Sequence, residues 1–90
     1  MKRFRSCSDV DASQVGDRLV LYHRRTRKAL VLNPSGSELW TRLERARSAD
    51  DLMGALVERY PSLDRETARR DAEAFLAELG AHEMLAVDEA

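Results

Sequence analysis

The stretch "HRRTRKALVLNPSGSELW", residues 23–40, decides the fold. Arg24, Arg25, Arg27 and Lys28 load one short polar segment with cations, and an apolar run, an Asn-Pro pair and a Trp follow at once. Before the cations, "LVLYHR" alternates Leu19, Leu21 and His23 with Val20, Tyr22 and Arg24 and is rich in strand formers, so it reads as a strand. After them, "KALVLN" sets Leu30 and Leu32 on one face against Ala29 and Val31 on the other. Two such runs joined by a short polar segment make a hairpin, although the turn has no Gly or Asn to fix its type. A strand apolar on both faces is either buried on both or keeps one side for something else.

Working outward, "DVDASQVGD" gives a weaker strand around Val10 and Val15 that ends at the turn signal of Gly16 and Asp17. Asn33 is a favoured N-cap and Pro34 is pre-set for the first helical position, so a helix starts here. Ser35 with Glu38 offers a second capping alignment that leaves the exact start open. Leu39, Trp40 and Leu43 form its apolar face, with an end near Arg45. Ser48 and Asp51 cap a second helix with Leu52, Met53, Leu56, Val57 and Tyr60 on one stripe, and Pro61 stops it. A third helix starts from Asp64, carries Ala68, Ala72, Phe75, Leu76 and Leu79 on its apolar face, and has Gly80 as a candidate C-cap. "MLAVD" then reads as a short extended piece returning Met84 and Leu85 to the core. The expectation is an α+β domain, a three-stranded antiparallel sheet followed by three helices in a small winged helix-turn-helix-like arrangement over residues 10–90, with residues 1–9 a flexible N-terminal tail.

Ninety residues bury roughly 60 to 65% of the chain's surface, enough for one small core. With 43% apolar and 34% charged residues the chain is neither a membrane protein nor a disordered one, and the N-terminal cations have no apolar segment behind them. The expected location is cytoplasmic. The net charge of −1 hides an asymmetry: residues 1–47 carry +6 and residues 48–90 carry −7. This fits either a basic binding surface beside an acidic one or two halves that attract each other in the fold.

Catalytic chemistry has little to stand on. Cys7, His23 and His82 lie at no recognised metal-ligand spacing, so no metal and no cofactor are expected. Cys7 as a nucleophile would need a base brought from elsewhere in the fold, and the plainer reading is a thiol in a flexible tail. The four glycines form no phosphate-cradling loop. A winged-helix shape also suggests a DNA-binding regulator. Its third helix would then be the reader, yet Arg65, Arg69 and Arg70 are outnumbered there by Asp64, Glu66, Asp71, Glu73 and Glu78, which would repel phosphate. The remaining class is a protein that accepts an extended peptide on an edge strand, where main-chain hydrogen bonds supply affinity and side-chain pockets supply specificity.

At this point the ordered motifs become specific. Leu32-Asn33 closing the hairpin, Leu39-Trp40, Ser48 to Leu52 opening the second helix, Tyr60 ending it, and Asp71, Phe75, Leu76 and Leu79 on the third helix resemble the PqqD-like family, also called RiPP recognition elements. The resemblance spans about residues 10–87. Two positions depart from the family pattern: Ala72 replaces the usual Val, and "AHEMLAV" replaces a Gly-Leu-Leu ending.

The resemblance implies a non-catalytic peptide chaperone of natural-product biosynthesis, such as those of lasso-peptide or radical-SAM clusters. It would bind the leader of a ribosomally made precursor as an added strand and present it to a modifying enzyme or leader peptidase. Carried onto this chain, the backbone of Lys28, Ala29, Leu30, Val31 and Leu32 pairs with the leader. Asp71, Ala74, Phe75 and Glu78 form the helix side of the groove, with the Arg65 and Arg69 flank as the alternative. Asp71 and Glu78 would meet a leader cation. Arg24, Arg25, Arg27 and Lys28 would meet leader acids, dock the enzyme, or simply be a solvated turn. An open edge strand also pairs with its own copy, so a homodimeric interaction domain is a further alternative.

Overall fold

The structure, a computed structural model, describes residues 2–89. Five strands and three helices follow in the order β1 (Lys2–Ser6), β2 (Val10–Val15), β3 (Arg18–His23), β4 (Ala29–Leu32), α1 (Pro34–Arg42), α2 (Ala49–Arg59), α3 (Arg65–Ala81) and β5 (Leu85–Glu89). The antiparallel sheet β2-β3-β4 and the three helices give the expected α+β, winged-helix-like arrangement. The extended piece expected after the third helix is β5, and it forms a second antiparallel pair with β1.

That pair corrects the reading of residues 1–9 as a flexible tail. Within the described part, Phe4 lies opposite Val87, its amide donates to the carbonyl of Arg47 at 2.7 Å, and the amide of Arg47 returns a bond at 2.8 Å. The amide of Ser6 donates to Leu43 O at 2.9 Å and that of Cys7 to Met84 O at 3.0 Å. The segment is ordered because its backbone groups find partners in two loops and a strand distant in sequence. One apolar residue among cations carries no local periodicity that would announce such pairing.

The core lies between the inner face of the three-stranded sheet and the helices. Leu19, Leu21 and Leu32 meet Leu39 and Trp40 of α1, Leu43 at its C-cap, Leu52, Met53 and Leu56 of α2, and Ala72, Phe75, Leu76 and Leu79 of α3. Each helix start is satisfied by its own cap. Asn33 Oδ1 accepts from Gly36 N at 2.8 Å, which settles the start of α1 on Asn33, and Ser35 Oγ donates to the same oxygen at 3.0 Å. Ser48 and Asp51 exchange both bonds of a capping box, and Asp64 Oδ1 accepts from Thr67 N at 2.7 Å. α1 ends at Arg42, a turn before the expected Arg45.

The end of α3 differs from expectation as well. The helix runs through Gly80 to Ala81, His82 is the C-cap, and the left-handed residue is Glu83 at φ 58°. Met84 N donates to Leu79 O at 2.9 Å and Glu83 N to Gly80 O at 3.1 Å, the paired bonds of a Schellman ending, with Met84 and Leu79 both fully buried. Burial of Met84 holds the reversal that sends the chain back as β5.

A candidate peptide groove at the open edge of the sheet

β4 is the edge of its sheet, so only one side of its backbone is paired. In the ladder, Leu19, Val20, Leu21 and Tyr22 stand opposite Leu32, Val31, Leu30 and Ala29. His23 N donates to Lys28 O at 2.9 Å, which marks that pair as hydrogen-bonded. Antiparallel pairs alternate between bonded and non-bonded, so Leu30 and Leu32 turn their amides and carbonyls to β3, while those of Ala29 and Val31 point out of the sheet. Of the five residues expected to pair with a peptide, Ala29 and Val31 therefore carry the open backbone groups. Ser37 braces the end of the ladder: its Oγ accepts from Leu19 N at 3.2 Å and donates to Asn33 O at 2.9 Å.

Beside this edge lies a cleft of about 540 Å³. Val31, Leu32 and Asn33 form its sheet side, Ser35, Gly36 and Leu39 come from α1, Leu56 from α2, and Asp71, Ala74, Phe75 and Glu78 from α3, with Arg18 at the rim. Leu32, Leu39, Leu56 and Phe75 are buried and give an apolar floor, whereas Asp71, Ala74 and Glu78 are exposed along the α3 wall. The spacing of positions 71, 74, 75 and 78 places all four on one side of α3. The opposite flank is engaged elsewhere, with Arg69 Nη1 2.9 Å from Asp50 Oδ1.

The cleft also uses residues that the sequence did not assign to it: Arg18, Asn33, Ser35 and Gly36, together with Leu39 and Leu56 from the apolar faces of α1 and α2. Gly36 was the readable signal, a glycine in the first turn of a helix. A Cβ there would crowd the capping oxygen Asn33 Oδ1 at 3.2 Å and touch Phe75 Cε1 at an ordinary contact distance of 3.5 Å.

The four cations of the turn divide. Arg24 reaches back to Asp11 Oδ1 at 2.5 Å and Ser8 O at 2.8 Å and ties the β1–β2 connection to the hairpin, and Arg25 lies 4.0 Å from Asp9. Arg27, left-handed at φ 63°, and Lys28 are exposed and have no ion pair among the described residues. Arg24, Arg25, Arg27, Lys28, Ala29 and Leu30 do not line the cleft.

Folding brings Cys7, Asp9 and His23 together, with ligand atoms within 4.8 Å of one another, a juxtaposition their sequence spacing hides. Hydrogen bonds and ion pairs already engage two of the three groups. The buried His23 accepts at Nδ1 from the amides of Arg25 at 3.2 Å and Thr26 at 3.3 Å, which leaves the proton on Nε2, and Asp9 faces Arg24 and Arg25. The imidazole braces the basic turn. No helix among the described residues is long and apolar enough to cross a membrane.

An antiparallel winged-helix-like sheet with an open edge strand and an adjoining cleft under the third helix defines the class. The chain matches the model of the coenzyme PQQ synthesis protein D (PqqD) family over residues 18–85 and belongs to that family. It is similar in structure to TbiB1 in complex with the TbiA(beta) leader peptide, with 31% identity, 90% of this chain and 93% of that chain covered, and a TM-score of 0.81. It is also similar to a lasso peptide synthetase B1 complexed with the leader peptide, at 25% identity, 92% and 96% coverage and a TM-score of 0.79. No curated protein matches the sequence.

Proposed function

We propose that this protein is a non-catalytic peptide chaperone: it binds the leader of a ribosomally synthesised precursor as an extra strand on β4 and presents the rest to a modifying enzyme or leader peptidase. The observation that carries this reading is the outward-facing backbone of Ala29 and Val31 beside the cleft under α3. Support comes from the two similar structures, each of which holds a leader peptide. Lys28 to Leu32 supply the pairing strand, and Asp71, Ala74, Phe75 and Glu78 the wall and floor. The exposed Arg27 and Lys28 are left to meet leader acids or the partner enzyme.

Ordering a disordered leader costs roughly 2 to 5 kcal/mol, which places the affinity in the micromolar to high-nanomolar range. The test is a titration with the labelled N-terminal half of a short precursor peptide encoded beside this gene. Saturable binding that is lost in a folded Val31→Pro variant is the expected result. Unchanged affinity in that variant would eliminate strand addition. Retention on DNA at moderate salt with no peptide binding would favour the winged-helix regulator instead.

A further inference from the structure

The cleft has a charge pattern that its apolar floor does not require. Along α3, Arg69 and Arg70 are paired with Asp50 and Glu66, away from the cleft. The wall facing β4 instead carries Asp71 and Glu78, both exposed and with no ion pair or side-chain hydrogen bond among the described residues. Arg18 is the cation at the rim, 4.0 Å from Asp17. An extended peptide lying between β4 and α3 would thus have an apolar floor beneath it and two unneutralised carboxylates alongside.

From this juxtaposition we infer that Asp71 and Glu78 are specificity-determining residues, and that the peptide this groove selects carries Lys or Arg among its α3-facing side chains. The inference rests on the strand-addition reading above. Asp71 and Glu78 are two helical turns apart, about 10 Å along the axis. Same-face side chains of a strand recur every ~6.8 Å, so this span falls between one and two strand repeats. Basic residues two or four positions apart therefore bring their flexible stems within reach of both carboxylates, while the residues between them face the other side of the sheet. The stems themselves lie on Ala74 and Phe75, which suits Lys and Arg, whose methylenes bury against apolar surface while the charged head stays wet. An acidic residue at the same places would face two like charges and be disfavoured there.

The experiment is selection from a displayed library of short random peptides on four folded proteins: the wild type, Asp71→Asn/Glu78→Gln, Glu73→Gln as a control that removes one α3 carboxylate outside the cleft, and Val31→Pro. The wild type and the Glu73→Gln control are expected to enrich apolar sequences bearing Lys or Arg at alternate positions. The double variant should keep the apolar preference and lose the basic one, binding a wild-type-selected peptide roughly tenfold more weakly, and that difference should shrink as salt is raised. Enrichment without basic residues, or a basic preference that survives in the double variant, would overturn the inference and leave strand addition standing. If the wild type enriches nothing, or Val31→Pro binds the selected peptides equally well, strand addition itself fails and the inference falls with it.

Discussion

Val31 stands opposite Val20 in the ladder, yet it turns its amide and carbonyl away from β3 and toward the open edge, whereas its neighbour Leu30 is bonded to Leu21. This separates folding from peptide pairing at adjacent residues. Val31→Pro removes a donor that the fold does not use, and proline is tolerated on an edge strand whose amide side is free. Its melting temperature should stay within a few degrees of the wild type. Leu30→Pro deletes a ladder bond and leaves its acceptor on β3 unpaired, which should cost about 1 to 3 kcal/mol, read as a lowered denaturation midpoint.

Phe4 is half-buried against the core and joins β1 both to β5 and to the loop before α2. Phe4→Ala should destabilise the protein by about 1 to 2 kcal/mol in urea unfolding, less than a fully buried Phe would cost because part of its ring is in water. A change within a few tenths of a kcal/mol would mean that β1 contributes no stability in solution.

Glu83 occupies a left-handed position at φ 58° that closes α3. Glycine adopts that conformation without the Cβ penalty, so Glu83→Gly should stabilise the fold by about 1 kcal/mol, seen as a higher melting temperature. The same change at a right-handed helical position such as Glu73 should lower stability by a similar amount.

Acid should weaken the helix caps. The backbone amide of Ser48 holds the Asp51 carboxyl below the usual carboxylate range, and that of Thr67 does the same for Asp64. The folded values are depressed, so on acidification the unfolded chain binds protons first. The stability these caps supply is full above the ordinary carboxylate value and is lost as pH falls through the lowered folded values, so the melting temperature should decline below about pH 4. Ser48→Ala removes one partner of the capping box and should cost about 1 kcal/mol at neutral pH. Most of the Asp51 contribution to the acid decline should persist in that variant, because the Ser48 backbone amide that holds the carboxyl is still present.

Elements with their own local signal were readable from the chain. The hairpin residues announced themselves by alternation, and Asn33, Ser48 and Asp64 each marked a helix start through side-chain chemistry confined to one turn. The acidic flank of α3 was readable as a stripe, but two flanks remained open because a helical wheel shows which residues share a face and not what that face meets. β1 was missed: its partners lie at Arg47 and at residues 85–89, and no short window contains them.

The sequence by itself determined the three helices, the central hairpin and the family resemblance, because caps, periodicity and turn polarity are local properties of the chain. Tertiary structure alone decided that Ala29 and Val31 carry the open backbone groups of the β4 edge, that the cleft takes the Asp71 and Glu78 side of α3, and that Cys7 meets His23. Each of those outcomes depends on which surfaces the packing of a single core leaves uncovered, and that is settled only when distant segments come together.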